Sequence, residues 1–493
     1  MQNNNLLIGI KMTVLKKYPF TCFLIIHFLV WSIIPLLRGS LPMDSIEAVV
    51  WGQYCDWGTN KHPSLSGHMA YWFYHIFGGS HYGIYALSQL CVLLAFIYIY
   101  KLAKCFLSND KALVSVMLLE GVIYYGYSTM EFNVNVVSLA LWPMTVYHFY
   151  KALKDDKLSD WVLTGIFAGL NMFNKYVSGI LLLCMLIFVL YDKTARAKFK
   201  SFGIYVCAAM CILVFLPHLL WLYEHDFFVM DYFLGRSSKA GFESAPLLKH
   251  IVYPIRFIGS QVLFGLGAML IYFIANKKSQ KESINLLSFD KRFLFCLGLL
   301  PLVVMMLVSM IGGIKLKSMW GFPVLYMLGI LLFSFFPREF NENIKIKMIK
   351  GAYFMMLLLG FALTMVIMFN KSDKLHLKAV DYASEMEKIY HQKAQGKPFK
   401  YVAGDVWWVD NIALYAPSEP KPVIWADIKK NPWFDEDDFV ASGALIVTAG
   451  KGEYQAAKNV LDNLSEPLIL ELEIKNPVGK IKRKTIYYGF YNI

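Results

Sequence analysis

The sequence predicts a polytopic α-helical membrane protein with a C-terminal exported α/β domain. Three observations lead there. Of 493 residues, 57% are hydrophobic and only 17% charged, and mean hydropathy is +0.46. Many apolar runs approach or exceed the roughly 18–20 residues that cross a bilayer core. The formal charge of +13 sits wholly in residues 1–370, because residues 371–493 carry 17 basic and 17 acidic side chains. This composition excludes an ordinary soluble enzyme, a disordered chain and a fibrous protein.

Eleven spans are expected, with thirteen as the upper bound: about 19–38, 83–100, 112–128, 134–150, 161–174, 176–192, 202–222, 252–275, 293–312, 318–336 and 350–370. The fifth is short. The connecting segments alternate in charge. The N-terminus, 101–111, 151–160, 193–201, 276–292 and 337–350 hold 22 Lys and Arg, whereas the other connections hold 7. Basic loops stay cytoplasmic. The N-terminus is therefore expected inside, and an odd number of spans places residues 371–493 outside. The basic charge is then a topology signal, and no nucleic-acid partner is expected. Lys16 and Lys17 precede an apolar run with no small-residue cleavage site before Arg38, which reads as a retained span rather than a signal peptide. The eight cysteines include none in the tail, and Cys55 alone falls in an outer loop, so no exported disulfide is expected.

Two domains follow: residues 1–370 in the membrane, and 371–493 outside it. In the tail, 377–394 reads as a helix. Short β-type runs near 400–404, 422–425, 444–449, 467–473 and 484–491 alternate with helical patterns near 408–415 and 452–463, which suggests a layered α/β domain. The acidic run Asp435–Asp438 reads as a solvated helix start. The outer loop 39–82 is patterned as two amphipathic surface helices, over 45–57 and 65–77, rich in interfacial aromatics.

Several polar residues at the outer face could carry chemistry. Asp44 opens the first surface helix. It fits a capping box with Glu47, and it also suits a general base for an acceptor hydroxyl; the two roles are compatible. Lys61 and His62 precede Pro63 and could meet a phosphate or a metal. Glu131, Asn133 and Asn135 lie at the mouth of spans three and four, where an unsatisfied polar group is costly. Lys175 either snorkels or meets an anionic headgroup. Glu224, His225 and Asp226, with His62, allow a divalent metal without requiring one. Arg236, Lys315 and Lys317 break the charge rule on the outer face, and a phosphate partner would explain them. His27, Glu120 and His148 fall inside spans and are expected to have satisfied partners.

Several of these stretches, read in order, resemble one family. Asp44-Ser45, Trp51-Gly52-Gln53, Asp56-Trp57-Gly58 and His62-Pro63-Ser64-Leu65 are followed by Gly169-Leu170 and Asn174-Lys175-Tyr176. Pro217 to Phe227, with Trp221, His225 and Asp226, comes next, then Arg236 and Lys317-Ser318-Met319-Trp320. Over about residues 15–340 this order resembles the polyprenyl-phosphate-dependent glycosyltransferases of the GT-C class. The nearest type is glycosyltransferase family 39-like, which includes protein mannosyltransferases and bacterial lipid A aminoarabinose transferases. The resemblance implies inverting transfer of a hexosyl or pentosyl group from a polyprenyl (undecaprenyl-type) phosphate carrier. The acceptor would be lipid A, another glycan or a protein, at the outer face of the inner membrane. It implies Asp44 as the catalytic carboxylate, and a basic cluster drawn from Lys61, His62, Lys175, His225, Arg236 and Lys317 for the departing phosphate.

There are departures. The family's Asp-Glu pair is Asp44-Ser45 here, so only Asp44 carries over. A second family aspartate aligns with Asn135, which can orient a hydroxyl or a sugar but cannot act as a base. Glu131 is the residue placed to compensate. Two other readings stand beside the enzyme: a polytopic sugar-lipid transporter, and a non-catalytic assembly factor that binds polyprenyl lipid. Against the first, polar residues gather at the outer face and not in broken helices at the bilayer midplane.

Overall fold

A computed structural model describes residues 17–230, 235, 246–283, 286–424, 431 and 433–493. The expected span and tail patterns appear as helices and strands in their places. The principal helices are α1 (Pro19–Ile33), α2 (Met43–Gln53), α3 (Leu65–Ile76), α4 (His81–Ala103), α5 (Val134–Asp155) and α6 (Leu158–Asn174). They continue with α7 (Phe202–Glu224), α8 (Lys249–Ala275), α9 (Leu300–Gly312), α10 (Glu342–Phe369), α11 (Ala379–Ala394) and α12 (Val406–Tyr415). Helix is the expected solution in lipid, because every backbone N–H and C=O is satisfied within its own segment. Side-chain caps fix several starts: Ser80 accepts from the Tyr82 N–H, Asn133 from Asn135 and Asn341 from Ile344. The chain leaves α9 through Gly313, whose φ of 60° lies in the left-handed region.

Among the described residues, seven helices are long and apolar enough to cross a membrane. The number is nine when two bent pairs, Asn109–Gly121 with Ile123–Met130 and Tyr176–Tyr191 with Lys193–Lys200, each count as one span. The other two expected spans, 134–150 and 161–174, are the helices α5 and α6. Helix α6 has only 17 residues. Helix α5 carries Asn135, Ser138, Thr145 and His148 on buried positions. It packs against α4 and α6, so its surface need not be apolar. The in-span titratable groups have partners as expected. His27 pairs with Glu120, and His148 with Asp160 at 2.8 Å.

Residues 401–491 build a five-stranded sheet in the order β2-β1-β3-β5-β4, from β1 (Tyr401–Gly404), β2 (Lys421–Ile424), β3 (Ala444–Thr448), β4 (Leu468–Lys475) and β5 (Ile481–Tyr491). β1 is parallel to both β2 and β3, with Val402 opposite Leu445, while β5 runs antiparallel to β3 and β4. β1 and β3 are buried at every position, as strands covered on both faces should be. The acidic run does start a helix: the Asp435 side chain accepts from the Asp438 N–H.

The first of the two surface helices departs from expectation. Helix α2 is buried from Ser45 to Gly52 on all sides, because α12 packs over the face expected to meet water. One apolar cluster runs from Leu41, Ile46 and Val49 into Tyr382, Trp408 and Ile412. Polar links reinforce the seam. The Arg38 guanidinium donates to the Lys374 carbonyl at 2.6 Å, the Tyr415 hydroxyl meets His81 at 2.9 Å, and the Tyr54 ring stacks on Trp433 at 4.7 Å. On α3, Trp72 and Ile76 remain exposed, in keeping with an interfacial helix.

Helices α2 and α3 meet at Gly52 and Gly67. A Cβ at Gly52 would lie 2.2 Å from the Gly67 carbonyl oxygen and 2.4 Å from the Tyr71 Cβ. Gly52→Ala must therefore part the two helices, at about 1–3 kcal/mol. A lowered thermal midpoint of the detergent-solubilised variant is the expected result; an unchanged midpoint would contradict this packing.

Candidate active site

Asp44, Glu47, Ala48 and Trp51 recur at helical spacing on one face of α2, and all line one cavity. Helix α2 begins at Met43 with Pro42 as its cap, which corrects the expected capping box. Asp44 lies inside the first turn, and Glu47 does not reach back to it. The backbone N–H of Asp44 donates to the Glu131 carboxylate at 3.1 Å. The acid that satisfies this helix start thus comes from a distant segment. The neighbouring Ser45 hydroxyl donates to the Phe132 carbonyl at 3.1 Å. The Asp44 carboxylate in turn accepts from the Asn133 amide at 3.2 Å.

Asn133 does two jobs, because its carbonyl oxygen also accepts the Asn135 N–H at 2.9 Å and caps α5. The Asn135 side chain accepts from the Lys175 ammonium. Lys175 sits at the end of α6, pinned there by Asn174, which donates to the Val134 carbonyl at 2.7 Å and the Ser138 hydroxyl at 2.9 Å. Lys175 is buried; it neither snorkels nor lies open to solvent.

The loop before α3 presents the other cation. The Thr59 hydroxyl donates to the His62 carbonyl at 2.9 Å and accepts the backbone N–H groups of Lys61 and His62 at 3.2 and 3.1 Å. This turn sets Lys61 against the Glu47 carboxylate and 5.8 Å over the Trp51 ring. Asp44, Lys61, His62, Asn133, Asn135 and Lys175 all line the same cavity, and Trp320 closes it from a late span.

Other expected residues go elsewhere. Glu131 supports Asp44 from behind and is not part of the cavity wall. His225 stacks on Trp221 at 4.3 Å and bonds its carbonyl at 2.8 Å. Trp221 itself packs where a Cβ on Gly58 would fall, 2.3 Å from the ring. The Asp56-Trp57-Gly58 run is therefore structural: its Trp57 carbonyl meets His218 at 2.7 Å and its Asp56 carbonyl meets His68 at 2.9 Å. Lys317 lines a neighbouring cleft. Arg236 lies outside the described residues. His62, Glu224, His225 and Asp226 do not converge, and among the described residues no three His, Cys, Asp or Glu side chains group to hold a metal ion.

Two contributors escaped the sequence. Glu47 reads as half of a capping box, although its spacing from Asp44 and Trp51 already placed it on the cavity face. Asp410 gave no signal at all. It comes from α12, is fully buried, and burial followed by the charge of Glu47 holds its carboxyl well above the usual range.

A family model described as dolichyl-phosphate-mannose-protein mannosyltransferase matches residues 61–221. The lipopolysaccharide core galacturonosyltransferase RgtB of Rhizobium johnstonii is 23% identical over 295 residues, 59% of this chain and 59% of that relative's length. RgtA of the same organism, of the same description, is 21% identical over 444 residues, 86% of this chain and 85% of that protein. Among solved structures, ArnT from Cupriavidus metallidurans bound to undecaprenyl phosphate superposes with a TM-score of 0.64 at 12% identity, covering 97% of this chain and 98% of that one. In matched segment, relatives and fold, the chain is similar to GT-C, family 39-like glycosyltransferases, the resemblance its ordered motifs carry.

Burial, then the charge of Asp44, raises the Glu131 carboxyl from its ordinary 4.5 to about 7. Between those values the folded chain holds a proton that the unfolded chain has released. Stability therefore falls as pH rises through this window and levels off above about 7. Glu131→Gln keeps the acceptor for the Asp44 N–H and removes the slope. Its melting temperature relative to the unmodified protein should climb by several degrees from the lower to the upper end of the window. A flat difference would show that the carboxyl is not shifted.

Proposed function

We propose that this chain transfers a sugar, with inversion, from a polyprenyl (undecaprenyl-type) phosphate carrier to an envelope acceptor at the outer face of the inner membrane. The observation that carries the reading is a single cavity lined by Asp44, a carboxylate oriented by Asn133, together with Lys61, His62 and Lys175. Asp44 takes the proton from the acceptor hydroxyl as its oxygen bonds to the anomeric carbon. The bond from that carbon to the carrier phosphate breaks, and its electron pair leaves with polyprenyl phosphate. Lys61 and Lys175 stabilise the charge that develops on the phosphate, the larger part of such catalysis. Glu47 and Asn135 hold those two ammonium groups in place. Asn133 fixes the Asp44 carboxylate, and Glu131 fixes its backbone, so the base needs little rearrangement.

Relatives named for galacturonosyl transfer to lipopolysaccharide core favour a hexuronosyl group and a glycolipid acceptor over a protein. The same reading puts the N-terminus in the cytoplasm, residues 1–370 in the membrane domain and residues 371–493 in the periplasm. There α12 of the exported part covers the catalytic helix α2.

In membranes supplied with labelled polyprenyl-phosphate sugar and envelope glycolipid, Asp44→Asn should lower transfer by about 10²- to 10⁴-fold while the protein still folds. Lys175→Gln should slow release of polyprenyl phosphate as well. Transfer by Asp44→Asn at the unmodified rate would remove the general base from the mechanism. Failure of the unmodified protein to release polyprenyl phosphate from any carrier sugar would remove the glycosyltransferase reading itself.

A further inference from the structure

A second basic cleft lies beside the Asp44 cavity. Arg256, Lys315 and Lys317 line it with Ser260 and Tyr253. Ser318, on its wall, immediately precedes Met319 and Trp320, which line the Asp44 cavity. One short stretch of backbone therefore separates the two sites, and both lie at the same end of the bundle.

The three cations are hard to explain by architecture. Lys315 and Lys317 stand in a connection on the Lys-poor side, so topology does not call for them. Arg256 lies seven residues into the membrane helix α8, about 10 Å along its axis. A guanidinium there is costly unless it reaches water or meets an anion. Residues 246–281 and 300–335 contain no Asp or Glu, and among the described residues no carboxylate pairs with Arg256, Lys315 or Lys317.

The walls are fixed in advance. The Ser318 carbonyl accepts from the Tyr124 hydroxyl at 2.7 Å and from the Gln261 amide at 3.0 Å. His250, at the start of α8, meets the Met310 carbonyl at 2.6 Å, which ties α8 to the end of α9. The Ser309 hydroxyl donates to the Ile314 carbonyl at 2.8 Å and steadies the turn before Lys315. Along α8 the surface beside Arg256 is apolar and open: Ile251, Ile255, Val262 and Leu263 are each more than half exposed. A ligand suited to both parts has a phosphate for the cations and hydrocarbon chains for the helix.

We propose that this cleft binds the phosphate of a membrane lipid, at a site separate from the Asp44 cavity. Arg256 supplies bidentate contact, and Lys315 and Lys317 supply point charges. The acyl chains lie along α8. The assignment rests on the membrane placement of α8 and α9 and not on Asp44 chemistry, so it survives or fails independently of the transfer reaction.

The test uses the full chain purified in mixed micelles and counts lipid retained by native mass spectrometry. The probes are phosphatidylglycerol, diacylglycerol and inorganic phosphate. The unmodified protein should retain one phosphatidylglycerol most tightly, and no diacylglycerol. Arg256→Gln with Lys317→Gln should weaken that retention by about tenfold or more. Lys277→Gln with Lys278→Gln, just beyond the far end of α8, should leave it unchanged. Equal retention by the Arg256→Gln, Lys317→Gln protein would overturn the site. So would equal retention of diacylglycerol, which needs no folded variant to observe. Displacement of the lipid by inorganic phosphate at matched concentration would overturn the lipid assignment in favour of a soluble phosphate ligand.

Discussion

The junction between the start of α2 and residues 131–135 is the constraint on which the site depends. Three bonds cross it within a few ångströms: Glu131 accepts the Asp44 N–H, Phe132 accepts the Ser45 hydroxyl, and Asn133 donates to the Asp44 carboxylate. Each satisfies a polar group at the start of α2, and for the buried Ser45 hydroxyl the lack of a partner would be expensive. Asn133 also caps α5, so the geometry of Asp44 and the start of a 22-residue helix are set by one side chain. Asn135, the next polar group on α5, passes the constraint on to Lys175. A carboxylate and an ammonium from segments 131 residues apart in sequence are thereby placed in one cavity.

This arrangement explains how Asn135 can stand where related sequences are read to carry an aspartate. An aspartate beside buried Lys175 would form an ion pair and neutralise the charge that a departing phosphate needs. The asparagine accepts one hydrogen bond and leaves the net positive charge in place. The Asn135 amide dipole offsets part of the cost of burying the Lys175 ammonium. Lys61 is handled differently, since Glu47 pairs with it directly and the Trp51 face lies beneath it.

Much of the fold was legible in the sequence because the forces that set it are local or periodic. Spans follow from apolar length, strands from short β-branched runs between turns, and helix starts such as Asp435 from capping residues. The site was legible only as a set of types. Asp44, Lys61, His62, Asn135 and Lys175 could be nominated because polar groups at a membrane edge are conspicuous. Their partners were obscure because each bond spans a long loop. The mistaken capping box shows the limit well: Asp44-Ser45-Ile46-Glu47 satisfies the local rule, yet the helix begins at Met43 with Pro42 as its cap, and the long-range acid Glu131 takes the role assigned to Glu47. Burial of α2 was equally hidden, since the α12 residues that cover it lie more than 350 positions away.

The cations that disobey the topology rule fall into two physical classes once their surroundings are known. In the Asp44 cavity, Lys61 and Lys175 have fixed partners within the chain, so the fold retains them with or without a ligand. In the neighbouring cleft, Arg256, Lys315 and Lys317 stand on segments that contain no acidic residue. Like charges drawn together at a membrane edge repel one another, and burying that edge in lipid raises the penalty further. The phosphate of the proposed lipid would relieve that repulsion. The proximity of Ser318 to Met319 and Trp320 then means that a lipid seated on the cleft sits one turn of backbone from the wall of the reaction cavity.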